Sequence, residues 1–388
     1  MLERIRTADG ATLCCKRKPA DGPSLVFFHG LAVNADIWDI PDLDLADGGR
    51  FRSLAAQLHD RGFDIWLVNL RGCGGPHMLS EPPAGQRDWC VDHFVLHDVD
   101  AAIRHVSARG KPTIAIGQSM GAMSLAAWLQ GATWIGGETV GHIEAVSSVA
   151  VERQRLLRGA MLVEMPAALR WPQSLYDEAG NLKWNDLLRE WKRTDSDLNF
   201  PFELMSRIGW LHTLIEATGD VRLDWIRPGG RFAGEPVGLL QRLGLSHARL
   251  ESAARMFSER IKGADGFHAE TIMHGLVHAL ERMKSGVLQQ LSKSVRQRSF
   301  VSAIGAVDHH YAEHYHHIAL PLLAVAGGRD RIANAQVIRE LLVDRAASRD
   351  KEFMLFDPIA HGEFEYSPVA MRVVYPRLIE WLERRAGG

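Results

Sequence analysis

The chain alternates short apolar runs with segments of helical spacing up to about residue 151. Glu3 to Arg17 predicts two short strands around the turn Ala8-Asp9-Gly10, since Asp-Gly between apolar runs is a hairpin signal. Ser24-Leu25-Val26-Phe27-Phe28 is continuously apolar and ends in His29-Gly30, so it predicts a central strand. Asp36 to Arg50 is rich in Asp and predicts a loop, and Phe51 to Arg61 has helical spacing. Phe63 to Val68 predicts the next strand, which runs into Asn69-Leu70-Arg71-Gly72 and a Gly/Pro-rich loop to Gly85. Val95 to Ala108 carries a helical apolar face, Pro112 to Ile116 a strand, Met120 to Gln130 a buried helix, and His142 to Val151 a further strand. Strands that alternate with helices in this way imply a parallel sheet covered on both faces.

From Glu152 to about Phe300 the alternation stops. The segments there are helical in pattern, broken at Pro166, Pro172, Pro201, Pro228 and Pro236, and predict an inserted, mainly helical cap. Its tryptophans, Trp171, Trp184, Trp191, Trp210 and Trp225, either hold a small helical core together or line an apolar pocket. The sheet resumes at Leu322 to Ala326, followed by a helix from Ala333 to Ala346, a last strand Glu352 to Phe356, and an amphipathic helix Met371 to Arg385. The expected organisation is an α/β core of residues 1–151 and 301–388 around a cap of residues 152–300.

Composition narrows the partners. In 388 residues the net charge is −2, with no long run of Lys or Arg, so neither nucleic acid nor an anionic membrane is an expected partner. No stretch approaches the length of a membrane span, and Met1 to Lys18 has no apolar core of the kind signal peptides carry. The four cysteines, Cys14, Cys15, Cys73 and Cys90, are spaced for neither a disulfide scaffold nor a zinc site, which points to a reducing, cytoplasmic setting.

The chemistry concentrates at the ends of the predicted strands. Gly117-Gln118-Ser119-Met120-Gly121 lies between a strand and a helix. In that setting a sharp turn lifts the serine hydroxyl clear of the sheet, beside the unpaired N–H groups and positive dipole end of the helix. Serine needs a base, and the base an orienting acid. His361, after the last strand, and Asp330, after the resumed strand, are the expected base and acid; Glu152 is the rival acid, and Asp330 as helix cap is the alternative for that residue. Backbone N–H groups of Leu31 and Met120 are the expected oxyanion donors. His29 is expected to brace its loop. Asp308 to His317 is rich in histidine, with His310 and His314 at helical spacing, and reads as a connector from cap to core; no metal and no cofactor are expected.

These residues carry a resemblance. Phe28-His29-Gly30-Leu31 with Trp38, the block Gly62 to Gly72, the stretch Asp92 to Ile103 leading to the Ser119 turn, and the Gly328-Arg329-Asp330 and Ala360-His361-Gly362 blocks resemble the α/β-hydrolase superfamily. The order Ser119, Asp330, His361 is the order of that fold. Gly62 to Gly72 is similar to a segment of the acid lipase branch, and Ser285 to Asp330 resembles the polyhydroxyalkanoate synthase-like branch, with Ser119 where those synthases carry cysteine. The resemblance implies an α/β-hydrolase fold with a helical cap and a serine hydrolase acting on a small-molecule carboxylic ester or thioester through an acyl-enzyme. Two other readings stay open: an acyltransferase passing the same acyl group to an acceptor other than water, and a ligand-binding protein on a hydrolase fold. Oligomeric state is not legible.

Overall fold

The computed structural model describes residues 1–45, 48–75, 77–137, 140–170, 173–181, 183, 271, 274–330 and 332–387. An eight-stranded sheet organises them: β1 Leu2–Arg6, β2 Thr12–Lys18, β3 Ser24–Phe28, β4 Asp64–Val68, β5 Thr113–Gln118, β6 Gly159–Val163, β7 Leu322–Gly327 and β8 Lys351–Phe356. Their spatial order is β1-β2-β4-β3-β5-β6-β7-β8. β1 and β2 form the antiparallel hairpin that the Asp-Gly turn predicts, and β2 joins β4 antiparallel; every later pairing is parallel. Seven helical elements matter below: α1 Leu54–Asp60, α2 Val99–Ser107, α3 Met120–Leu129, α4 Ser147–Gln154, α5 Ser285–Arg296, α6 Ala335–Ile338 and α7 Tyr375–Ala386.

The alternation of side chains along a strand divides the core into two layers. Val26, Phe28, Trp66 and Val68 face a cluster built with α2 and α3, while Leu25, Phe27, Ile65 and Leu67 face one built with α1 and α7. Because both faces are covered, β3 to β7 read as unbroken apolar runs rather than alternating ones. Helix α3 is buried along its whole length, which explains why its sequence is small and apolar on every side.

The structure corrects the sequence reading at several boundaries. Asp36 to Arg50 is not only loop: Ala35–Trp38 makes a 3-10 turn and Leu43–Asp44 pairs with Arg50–Phe51. Helix α1 starts at Leu54, not Phe51, because the Ser53 hydroxyl accepts from the Ala56 N–H and ends the preceding extended chain. The helix expected from Ala333 starts at Ala335, because the Asn334 side chain accepts from the Gln336 and Val337 N–H groups and caps it there. The largest correction concerns His142 to Val151. Gly141–Ala145 pairs with Ala132–Gly136 in a separate two-stranded hairpin, and Ser147–Gln154 is helix α4. The sheet position belongs to β6 at Gly159–Val163, beyond the expected core boundary at residue 151. The cause is physical. His142 to Val151 is interrupted by polar residues, as suits an exposed hairpin and helix, whereas Gly159-Ala160-Met161-Leu162-Val163 is wholly buried.

Most of the expected cap, including all five of its tryptophans from Trp171 to Trp225, lies outside the described residues. The chain returns at residues 274–281 against the β3–α1 connection. There Asn34 N–H donates to the Ala279 carbonyl, and Glu281 N–H to that of Ala32. Among the described residues no helix is long and apolar enough to cross a membrane.

Candidate active site

The parallel register brings the strand ends to one edge, where open α/β sheets place their sites. Gln118 at the end of β5 is level with Val163 at the end of β6, and Val163 is level with Val325 in β7. Ser119, Glu164, Asp330 and His361 therefore issue from the same edge of four neighbouring strands.

Ser119 sits at φ 51°, ψ −118°, between β5 and α3. Its N–H donates to the Val163 carbonyl at 2.9 Å, and its carbonyl accepts the Met123 N–H at 3.0 Å, which together hold the turn. The turn is tight enough to require glycine on either side. A Cβ on Gly117 would stand 2.6 Å from the Ala122 Cα, and one on Gly121 would stand 2.5 Å from the Phe28 and His29 carbonyl oxygens.

The expected base and acid meet the serine. His361 Nε2 lies 3.0 Å from Ser119 Oγ, and His361 Nδ1 lies 2.8 Å from Asp330 Oδ2. A carboxylate only accepts, so Nδ1 carries the proton toward Asp330 and Nε2 presents a lone pair to the serine hydroxyl. Asp330 is not the helix cap, a place Asn334 takes, but its second oxygen holds the turn that leads there. While Oδ2 faces the histidine, Oδ1 accepts the Ile332 and Ala333 N–H groups at 2.7 Å each. All three side chains are buried, Ser119 and His361 each at 7% exposure, so their hydrogen bonds compete weakly with water.

The loop holding Leu31 lies over the serine. A Cβ on Gly30 would stand 2.3 Å from Gln118 Oε1 and 3.2 Å from the Ser119 Cβ, so a side chain there would have to displace Gln118. His29 fixes the loop: Nδ1 donates to the Gly30 carbonyl at 2.9 Å, and Nε2 accepts the Leu70 N–H at 3.1 Å. Burial pushes the His29 pKa down to about 4, so the ring stays neutral and keeps both bonds. The Met120 N–H, first in α3, has no acceptor within its own helix. Asn34 and Glu281 set the rim. Glu281 Oε1 accepts the Asn34 amide at 2.8 Å and the Gly74 and Gly75 N–H groups at 3.0 and 2.8 Å, joining three chain segments on one carboxylate oxygen.

Sequence reasoning missed Glu164. It follows β6, is fully buried, and holds φ 48°. Both its oxygens accept the Gly362 N–H at 2.8 Å, and Oε2 accepts the Gln118 amide at 2.9 Å. Oε2 is also 4.0 Å from His361 Nδ1, so two carboxylates face one imidazole. Burial raises the Glu164 pKa to about 7, against the lowering effect of His361. The rival acid Glu152 is elsewhere: it lies on α4, exposed, and pairs with Arg104 at 2.9 Å. Searching after the wrong strand led to Glu152. The available signal was the apolar run Gly159 to Val163 followed at once by Glu164.

The remaining chemistry-bearing residues stand apart. His310, His314, His316 and His317 lie on the connector between α5 and β7, away from this edge. At the strand edge Glu164, Asp330 and His361 bring one ligand-type atom each within 4.8 Å of one another, and these groups are engaged with one another and with backbone N–H groups.

Comparison with known proteins agrees with the topology. A family model described as the alpha/beta hydrolase fold matches residues 23–148. Triacylglycerol lipase 1 of Arabidopsis thaliana is 29% identical over 137 residues, 32% of this chain and 33% of that protein, so the match spans about a third of the relative's length. A soluble variant of monoglyceride lipase from Saccharomyces cerevisiae, solved with a substrate analogue, aligns with a TM-score of 0.50 at 13% identity over 100% of this chain and 95% of that one. DcsB, also solved with a substrate analogue, aligns with a TM-score of 0.50 at 12% identity over 100% and 99%. At such identities the likeness is one of fold.

Proposed function

We propose that this chain, whose residues 23–148 match the alpha/beta hydrolase fold model, is a serine hydrolase of that superfamily cleaving a small-molecule carboxylic ester or thioester. The observation that carries this reading is the unbroken hydrogen-bonded line from Ser119 Oγ through His361 to Asp330. Ser119 attacks the acyl carbon while His361 Nε2 takes its proton and passes it to the leaving group. Asp330 holds the ring in the required tautomer and stabilises the imidazolium. The Leu31 and Met120 N–H groups receive the oxyanion, with His29 holding the Leu31 loop in place from behind. Water activated by His361 then releases the acid and restores the serine.

In this scheme Glu164 is a positioning residue. It anchors Gly362, next to the base, and Gln118, next to the nucleophile, with one side chain. The lipase relative favours an acyl ester as substrate class. Cytoplasmic action is the reading favoured by the spacing of the four cysteines, which suits neither a disulfide scaffold nor a zinc site.

The test is labelling with a fluorophosphonate, on wild type and Ser119→Ala, beside hydrolysis of acyl esters from short to long chain. The expected result is labelling and turnover in wild type and neither in the variant. An active Ser119→Ala protein overturns the mechanism, and a wild type that neither labels nor turns over any ester overturns the hydrolase reading.

A further inference from the structure

The connector between α5 and β7 carries five histidines within nine residues, and the proposed reaction uses none of them. Pairing His310 with His314 assumes an α-helix, yet the chain there runs as two 3-10 turns, Tyr311–Glu313 and Tyr315–His317. The turns bring a different set together. His314, His316 and His317 each offer a ring nitrogen, and the three atoms lie within 4.8 Å of one another.

We propose that these three imidazoles form a binding site for a divalent transition-metal ion of the Zn²⁺ class. The argument rests on which nitrogens are committed. His316 Nδ1 faces the Glu313 carbonyl at 3.1 Å, and His317 Nδ1 faces the Gln130 carbonyl at 2.9 Å. A carbonyl only accepts, so both Nδ1 atoms carry hydrogen and both Nε2 atoms keep their lone pairs. Fixing the tautomer through the far nitrogen is the outer support that metal-bound histidines ordinarily have. The remaining neighbour of His317 Nε2 is the Ser147 hydroxyl at 3.1 Å, an exposed contact that a rotation of the hydroxyl releases. Around zinc, nitrogens at ~2.0–2.1 Å in tetrahedral array stand about 3.3 Å apart, so the rings must close by at most about 1.5 Å. Side chains at the surface, His316 exposed and the other two half-buried, have room for that. The fourth position is left to water.

The placement sets the consequence. Gln130 caps the C-terminal end of α3, whose other end carries Ser119, about 15 Å away along ten residues. An ion there takes no part in the reaction. It would fasten the connector to the end of the nucleophile helix, beside a junction that Gln154 already makes by donating to the Leu129 and His317 carbonyls and accepting from Ala319 and Leu320. The site is independent of the reading proposed for Ser119.

The experiment is calorimetric titration of untagged, chelator-dialysed full-length protein with ZnCl₂, with thermal melts before and after. The expected result is one equivalent bound, a higher melting temperature with Zn²⁺, and at least tenfold weaker binding in His316→Ala and in His314→Gln. His310→Ala, beside the three but outside them, retains wild-type affinity. Absence of a stoichiometric site in wild type overturns the proposal. So does wild-type affinity in His316→Ala, whose exposed side chain leaves the fold undisturbed and which decides the matter should His314→Gln fail to fold.

Discussion

Ser119 bears a Cβ yet occupies a backbone region that glycine favours, at φ 51°. It has company: among the described residues, Ala32, Ser119, Glu164 and Arg298 are the non-glycine residues at positive φ, and the first three surround the site. Strain of this kind costs of order 1–3 kcal/mol per residue and persists only where neighbours impose it. Ser119→Gly is therefore expected to be about 1 kcal/mol more stable than Ser119→Ala, both being inactive; urea denaturation of the two compares them. Glu164 makes a second prediction at this scale. Its carboxylate 4.0 Å from His361 Nδ1 favours the imidazolium. With the Glu164 pKa at about 7, the pH profile of kcat/KM in Glu164→Gln is expected to depart from wild type above pH 7, where the native carboxylate is charged, and to follow it more closely below, a pH-confined difference that a merely structural role for Glu164 would not produce. The residue scale was also where the sequence was most informative. Ser119, Asp330 and His361 each follow an apolar strand, and strand ends on one edge converge whatever the intervening chain does. Glu164 was illegible only because its strand was assigned elsewhere.

Elements, not isolated residues, set the precision of the turn at Ser119. Helix α3 meets β3 with nothing between them, since the Gly121 Cα abuts the Phe28 and His29 carbonyls. Gly121→Ala is expected to force the two apart, destabilising the protein by about 1–3 kcal/mol as other overpacked cores do, and to lower kcat at least tenfold because the same carbonyls begin the Leu31 loop. Steady-state kinetics and denaturation on one preparation test both halves. The other end of α3 is held by Trp128, fully buried with its indole N–H on Asp100 at 2.9 Å. Trp128→Ala is expected to cost about 3–5 kcal/mol, measured as a fall in the denaturation midpoint. Elements were legible where burial is uniform, as in β3, β5 and α3. They were misread where a half-exposed hairpin and helix, Ala132 to Gln154, imitated a strand, because polar interruptions in a short apolar segment suit either assignment.

At the scale of the whole molecule two buried groups act oppositely on stability as pH changes. The His29 pKa falls from about 6.5 to about 4 on folding, so the unfolded chain binds the extra proton between those values. Its contribution is present above pH 6.5 and lost as pH falls toward 4. Glu164 rises from its usual 4.5 to about 7, with Asp330 and His361 facing it, so the folded protein binds the extra proton. Its contribution is present below pH 4.5 and lost as pH rises through 7. The stability of wild type relative to Glu164→Gln is accordingly expected to fall, on the order of 2 kcal/mol, between pH 5 and pH 8. Urea unfolding at the two pH values measures it, and an unchanged difference would exclude a buried carboxylate titrating in that range. None of this was visible in the sequence, since a pKa shift follows from burial and neighbours, and both require the sheet to be assembled.

The hydrogen bond from Ser119 to His361 spans 242 positions of the chain. On the proposed mechanism the turn that carries Ser119 is complete during synthesis long before its base exists, and a serine without that base is an ordinary alcohol. A nascent or truncated chain lacking the segment after β8 is therefore chemically silent toward esters in its surroundings. On that mechanism the separation works as a safeguard in time: reactivity switches on only when nearly the entire core has been made and closed.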